Sequence, residues 1–129
     1  MDTFHITTQV TGDFDAVVEQ IENVLKTEGF GIITMIDVKE TLKKRINVDF
    51  RNYKILGACN PTFAHKAILA EDKVGVFLPC NVVVQQKTDG IIEVSAMDPV
   101  GGMQLIGNAE LTEIAIEIRG KLARVIQAL

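Results

Sequence analysis

A long β-hairpin in the second half of the chain is the feature that most constrains the fold. Valine and isoleucine are frequent in residues 73–86 and again in residues 91–97, and the turn sequence KTDG separates the two runs. Because so short a turn returns the second run alongside the first, the two predicted strands must be antiparallel neighbours. Pro79 lies within the first run and has no amide to donate to a ladder. We therefore expect a bend, a bulge or a sheet edge at Pro79.

The first half of the chain alternates between strand and helix patterns. Period-two alternation and β-branched runs predict strands over residues 3–11, 30–38 and 53–60. Helical spacing predicts a helix that begins after the N-cap Asp13 and ends at Gly29. A second helix is predicted after Asn60, and a short exposed helix within residues 39–50.

A long apolar stripe at helical spacing over residues 109–129 completes the pattern. The element order is then β-α-β-(α)-β-α-β-β-α. This order predicts a single α+β domain over residues 1–129, with one curved, mostly antiparallel sheet and helices on one face. A chain of 129 residues is long enough to bury a core of its own.

Composition excludes several classes of function. The formal net charge is −4 and aromatic residues are 5% of the chain, so no basic, aromatic surface for nucleic acid is expected. No apolar run approaches the length of a membrane span, and the N-terminal MDTFHITTQV lacks the features of a signal peptide. We therefore expect a cytoplasmic protein that binds neither nucleic acid nor membrane and keeps its two cysteines as thiols.

The two cysteines mark the candidate site. Cys59 precedes a predicted helix start, where free amides and the helix dipole stabilise an anion and lower the pKa of a thiol. If the strands on either side of the 61–71 helix are parallel neighbours, a right-handed crossover brings Cys59 and Cys80 to one edge of the sheet. That edge would suit a small polar or anionic ligand, or a reversible dithiol. In the alternative interpretation both cysteines are small buried hydrophobes, Asn60 only caps its helix, and Asn81 only satisfies a backbone group.

Other chemistry has less support in the sequence. Zinc needs three or four ligands, and Cys59 and Cys80 lie far apart with no CxxC motif, so no metal or other cofactor is expected. His65 falls on the predicted helix as a solvent-facing residue. The stretch from Asp98 to Gly102 has the backbone amides to meet a ligand. It lacks the lysine and the glycine frame of a phosphate loop, so its alternative role is a turn before the last helix.

Three stretches, ACNPTFAHKAIL, VGVFLPCNVVV and SAMDP, together resemble the family called domain of unknown function 302. The matching positions are Cys59, Asn60, Pro61, Leu78, Pro79, Cys80, Asp98 and Pro99. The resemblance implies a TATA-binding-protein-like fold, in which helices pack on a curved antiparallel sheet, and a homodimer. It implies no established activity, and His65 falls outside the matching positions.

These observations together predict a non-enzymatic homodimer that binds a small ligand or a protein partner. The dimer contact is expected at the sheet edge or along the last helix. A thiol-dependent redox protein that uses Cys59 and Cys80 is the alternative. The candidate ligand-binding residues are Cys59, Asn60, Pro61, Cys80, Asn81 and Asp98.

Overall fold

The computed structural model describes residues 4–129, and within this range the chain forms five strands, five α-helices and one 3-10 helix. The strands are β1 (His5–Thr11), β2 (Gly31–Asp37), β3 (Tyr53–Cys59), β4 (Cys80–Thr88) and β5 (Ile91–Met97). The α-helices are α1 (Phe14–Thr27), α2 (Val38–Ile46), α3 (Pro61–Ala70), α4 (Pro99–Gln104) and α5 (Ala109–Gln127), and the 3-10 helix is Val74–Phe77.

All five strands form one sheet in the order β1-β5-β4-β3-β2, and every neighbouring pair is antiparallel. The predicted α+β class and the predicted antiparallel sheet are confirmed. The more specific likeness to TATA-binding protein stays a prediction. The first strand was expected to begin at Thr3, which lies outside the described residues.

The strand predicted over residues 73–86, with a bend, bulge or edge at Pro79, is wrong in its first part. Its first part is the 3-10 helix, and β4 begins only at Cys80, directly after a cis peptide bond between Leu78 and Pro79. The apolar residues of the first part are explained by a small second core, in which Val74 is fully buried and Phe77 packs at the side. Short apolar runs of this kind fit a strand and a buried helical turn equally well.

The parallel crossover between the strands that flank α3 is also wrong. β3 and β4 are antiparallel, and Ala58 lies opposite Cys80. The connection through α3 and the 3-10 helix therefore leaves the sheet and re-enters it at the same end. Cys59 and Cys80 still lie at the same end of the sheet, as expected, because the antiparallel pairing places the end of β3 beside the start of β4.

One face of the sheet carries the main core, and we call it the core face. Alternate residues of the central strands point into this core, where they meet α1 and α5. The fully or almost fully buried members include Leu56, Val82, Val84, Ile92 and Val94 from the sheet and Ile21, Leu25, Leu122 and Val125 from the helices. The opposite face, here called the open face, carries the residues between them.

Polar side chains cap the start of every α-helix in the described chain. Asp13 accepts a hydrogen bond from the amide of Ala16, and Asn60 accepts one from the amide of Phe63, as the sequence predicted. Such caps satisfy amides that have no partner within the helix, and each stabilises a helix by about 1 kcal/mol. The five capping residues are Asp13, Asp37, Asn60, Asp98 and Asn108.

Gly57 in the middle of β3 allows a close approach of neighbouring side chains. A Cβ atom built there would collide with the hydroxyl of Thr34 on β2 and would lie 2.8 Å from Cγ of Pro79. We therefore expect Gly57→Ala to lower the free energy of unfolding by about 1–3 kcal/mol, because Thr34 and Pro79 must shift. Urea unfolding followed by circular dichroism measures this change.

Gly31 on β2 supplies the matched control, since a Cβ atom built there meets no atom within 4 Å. Gly31→Ala should change the free energy of unfolding by no more than about 0.5 kcal/mol. Equal effects of the two substitutions would show that the crowding at Gly57 has no influence on stability.

Candidate functional site

Cys59 and Cys80 border a single cavity at the end of the sheet where β3 stops and β4 starts. Its volume is about 50 Å³, and helices α3, α4 and α5 enclose it together with the sheet. The lining is almost entirely apolar. Its members include Cys59, Asn60, Phe63, Cys80, Met103 and Ile118.

The two thiols differ in their surroundings. Cys80 is buried, with 7% of its surface exposed, whereas Cys59 is half-buried. Burial raises the pKa of the Cys80 thiol to about 11, and the nearby Cys59 adds to the rise. At neutral pH Cys80 is therefore a protonated thiol, which is a poor nucleophile.

Both ends of the Asn60 side-chain amide form hydrogen bonds within the protein. Its oxygen accepts a hydrogen bond from the backbone amide of Phe63 at 3.5 Å, and its nitrogen donates one to the carbonyl of Glu28 at 3.3 Å. Asn60 thereby joins the end of α1 to the start of α3. Pro61 follows as an exposed first helical residue and has no amide hydrogen for a ligand.

An ion pair between Glu28 and Arg124 joins the end of α1 to α5. Arg124 on α5 donates to both carboxylate oxygens of Glu28 at 3.0–3.2 Å, and Lys121 approaches the same carboxylate at 3.9 Å. The hydrogen bond from Arg124 is the main cause that lowers the pKa of Glu28. This pair was not predictable from the sequence, because Glu28 and Arg124 are far apart in the chain and neither lies in a recognisable motif.

Three of the six predicted site residues do not line the cavity: Pro61, Asn81 and Asp98. Asp98 accepts a hydrogen bond from the amide of Val100 and pairs with Arg119 at 2.8 Å, so its carboxylate holds α4 against α5. Asn81 is exposed on the open face of the sheet, because it follows the inward-facing Cys80 in the strand. The structure therefore brings together Cys59, Asn60 and Cys80 and separates Asn81 from them.

The apolar side of the cavity was not predictable from the sequence. Helical spacing can indicate that Phe63 and Ile118 face inward, but it does not tell which inward residues of different helices meet. Met103 comes from α4, of which the sequence predicted at most one turn. His65 is exposed on α3, as predicted.

Two further findings concern the described residues as a whole. Residues 4–129 hold no group of three or more histidine, cysteine, aspartate or glutamate side chains arranged to bind a metal ion. No helix in this range is both long and apolar enough to cross a membrane.

The raised pKa of Cys80 predicts a loss of stability in alkaline solution. The unfolded chain releases the thiol proton near pH 9, whereas the folded protein holds it until about pH 11. The contribution of Cys80 to stability is therefore complete below pH 9 and is lost as the pH rises through 11. The expected loss in the free energy of unfolding is about 2–3 kcal/mol, measured by urea unfolding across this range.

Cys80→Ala is the control for this experiment, because it removes the titrating group and leaves the other alkaline groups in place. The variant should lose less stability than the unmodified protein between pH 9 and 11. Identical slopes for the two proteins would contradict the assignment of the alkaline loss to Cys80.

Comparison with known proteins is consistent with this architecture. The family model described as "Domain of unknown function DUF302" matches residues 6–129. The crystal structure of an uncharacterized conserved DUF302 protein from Bacillus stearothermophilus is similar, with 32% sequence identity and a TM-score of 0.89. The similarity covers 98% of each chain. No curated protein matches the sequence. With its family model matched over nearly the whole length, this chain belongs to the DUF302 family.

Proposed function

We propose that this protein is a non-enzymatic, homodimeric binding domain that takes the apolar end of a small ligand into the cavity beside Cys59 and Cys80. The observation that supports the proposal is the lining of this cavity, which is almost entirely apolar and partly open to solvent. The polar groups around it already have partners, because Asn60 bonds to Glu28 and Phe63. We therefore propose that an apolar group enters this cavity, instead of the polar or anionic ligand expected from the sequence.

The size of the cavity limits what can enter. A cavity of roughly 150 Å³ accommodates benzene, whereas this one measures about 50 Å³. A short alkyl group fits better than a ring, and the rest of such a ligand would extend through the opening. Burial of each methylene group contributes about 0.8 kcal/mol, so affinity should rise with chain length until the cavity is full.

The redox alternative depends on the same two residues. Both thiols border the cavity, which supports a functional pairing of Cys59 and Cys80. The raised pKa of Cys80 keeps that thiol protonated at neutral pH, whereas thiol exchange requires a thiolate. This difference favours the binding function.

Straight-chain alcohols test the cavity directly. We expect 1-propanol, 1-butanol and 1-pentanol to shift the amide signals of Phe63, Cys80 and Met103 in nitrogen-15 spectra. The affinity should increase about fourfold for each added methylene group. Ala64 lines the cavity. The substitution Ala64→Leu should abolish these shifts, because the larger side chain fills the space.

His65→Leu is the matched control, since it places the same side chain one position later on α3, where the residue is exposed. The control should retain alcohol binding. Unchanged binding in Ala64→Leu, or shifts that map away from the cavity, would contradict the proposed site.

The proposed dimer contact is the edge of the sheet at β2. This edge strand has no charged residue before Asp37, although edge strands of monomers are commonly protected by charges. Large apolar residues are exposed along it and at the end of the neighbouring α2: Ile33, Met35, Ile36, Ile46 and Val48. A second copy would cover them in a two-fold contact. The apolar stripe of α5 is instead buried against its own sheet.

Sedimentation of the protein at micromolar concentration tests this contact. We expect a dimer, and we expect Ile33→Lys to weaken dimerisation at least tenfold, because a lysine would replace an apolar side chain in the contact. Ile116→Lys on α5 is the control at another exposed isoleucine and should remain dimeric. A monomeric unmodified protein, or dissociation by Ile116→Lys alone, would contradict the β2 contact.

A further inference from the structure

A second and larger cavity lies on the open face of the sheet, and we call it the open-face groove. Its volume is about 320 Å³, within the lower range of small-molecule sites. It shares no lining residue with the cavity beside the cysteines. Its lining combines aromatic, aliphatic and polar side chains, among them Phe4, Tyr53, Asn81, Val83, Ser95 and Met97.

A chain of hydrogen bonds orients the exposed Arg51 beside the open-face groove, where Arg51 contacts the lining residues Gln85 and Tyr53. Gln85, a groove residue, is 9% exposed, and its oxygen accepts hydrogen bonds from Nε and Nη2 of Arg51 at 3.1 and 2.9 Å. The nitrogen of Gln85 donates to Glu93 at 3.3 Å, and Lys87 pairs with the other oxygen of Glu93 at 3.4 Å. Because each member holds the next, the guanidinium is held in one orientation before any ligand binds.

The guanidinium of Arg51 also forms cation–π contacts with two aromatic rings. The central carbon of Arg51 lies 4.4 Å from the ring centre of Phe50 and 5.8 Å from that of Tyr53. Contacts of a cation with aromatic faces at these distances are attractive. They also restrict the rotation of a long side chain, which reduces the entropy that a ligand must offset on binding.

The charge of Arg51 is not neutralised within the described chain. Its hydrogen-bond acceptor is a neutral amide, and no carboxylate of residues 4–129 forms an ion pair with it. Glu93 is the carboxylate of the groove, and its charge is already engaged by Lys87 and Gln85. A guanidinium has five N–H groups, of which Gln85 takes two here. The remaining N–H groups suit an anionic ligand.

From these contacts we propose that the open-face groove binds a small aromatic monocarboxylate. Its carboxylate pairs with Arg51, and its ring lies on the sheet against Tyr53, Val83 and Met97. Arginine recognises carboxylates through paired N–H donors, which gives both strength and orientation. An aromatic ring suits a lining in which Phe4 and Tyr53 lie beside the aliphatic residues Val83 and Met97.

The groove remains accessible in the dimer proposed above. It is built from β1, β3, β4 and β5, and β2 contributes no lining residue. A contact along the β2 edge therefore leaves the groove open. The groove and the cysteine cavity can be tested separately, because they lie on opposite faces of the sheet.

Titration of the nitrogen-15-labelled full-length protein with sodium benzoate tests the proposal, and benzamide serves as the neutral probe of the same shape. Benzoate should shift the amide signals of Val83, Ser95 and Met97 and bind at least tenfold more tightly than benzamide. Arg51→Met should weaken benzoate binding at least tenfold and leave benzamide binding unchanged. Added sodium chloride should weaken benzoate binding alone.

Two further variants separate the paired donors of Arg51 from its charge and from the loss of any exposed arginine. Arg51→Lys keeps the charge but loses the paired donors, so it should bind benzoate with intermediate affinity. Arg45 on α2 also has no carboxylate partner in residues 4–129. Arg45→Met should therefore leave the affinity for benzoate unchanged. The proposal is overturned if benzoate causes no shifts at the groove, if benzamide binds equally well, or if Arg51→Met and Arg45→Met behave alike.

Discussion

Antiparallel pairing of β3 with β4 is the constraint on which the rest of this structure depends. It places Ala58 opposite Cys80, so the chain leaves the sheet at Cys59 and returns at the same end. The segment between these points, α3 and the 3-10 helix, must then pack beside that end of the sheet. Asn60 fixes the start of this excursion by joining α3 to the end of α1, and the ion pair between Glu28 and Arg124 fixes α1 to α5. The cavity beside the cysteines is the space that this arrangement leaves.

Local patterns in the sequence were sufficient for most of the elements and for the hairpin of β4 and β5, but not for the 3-10 helix, for α4 or for the pairing of β3 with β4. The caps Asp13 and Asn60 and the stripe of α5 were predictable, because they depend on contacts within a few residues. The direction of β4 relative to β3 was not, since it depends on where a long connection re-enters the sheet. Only the position of Asn81 could have been corrected in advance. In a strand where Cys80 faces the core, period two already directs Asn81 to the other face.

The two faces of the sheet offer different environments to a ligand. At the core face, Asn60 beside the cavity is hydrogen-bonded within the protein, and the cavity lining is almost entirely apolar. At the open face, Arg51 has no carboxylate partner in residues 4–129, and its guanidinium donates two hydrogen bonds to Gln85. A side chain that only stabilised the sheet would gain more from an acidic partner than from a neutral amide. The neutral partner leaves N–H donors of the exposed Arg51 for the carboxylate of the ligand proposed above.

The buried thiol fits a binding role for the same physical reason that it resists a redox role. A protonated cysteine behaves as a small hydrophobe, so Cys80 completes the apolar lining at little desolvation cost. Conversion to a thiolate would place a charge in that lining, and the pKa of about 11 expresses this penalty. The environment that makes the cavity attractive to an alkyl group is thus the one that keeps Cys80 unreactive.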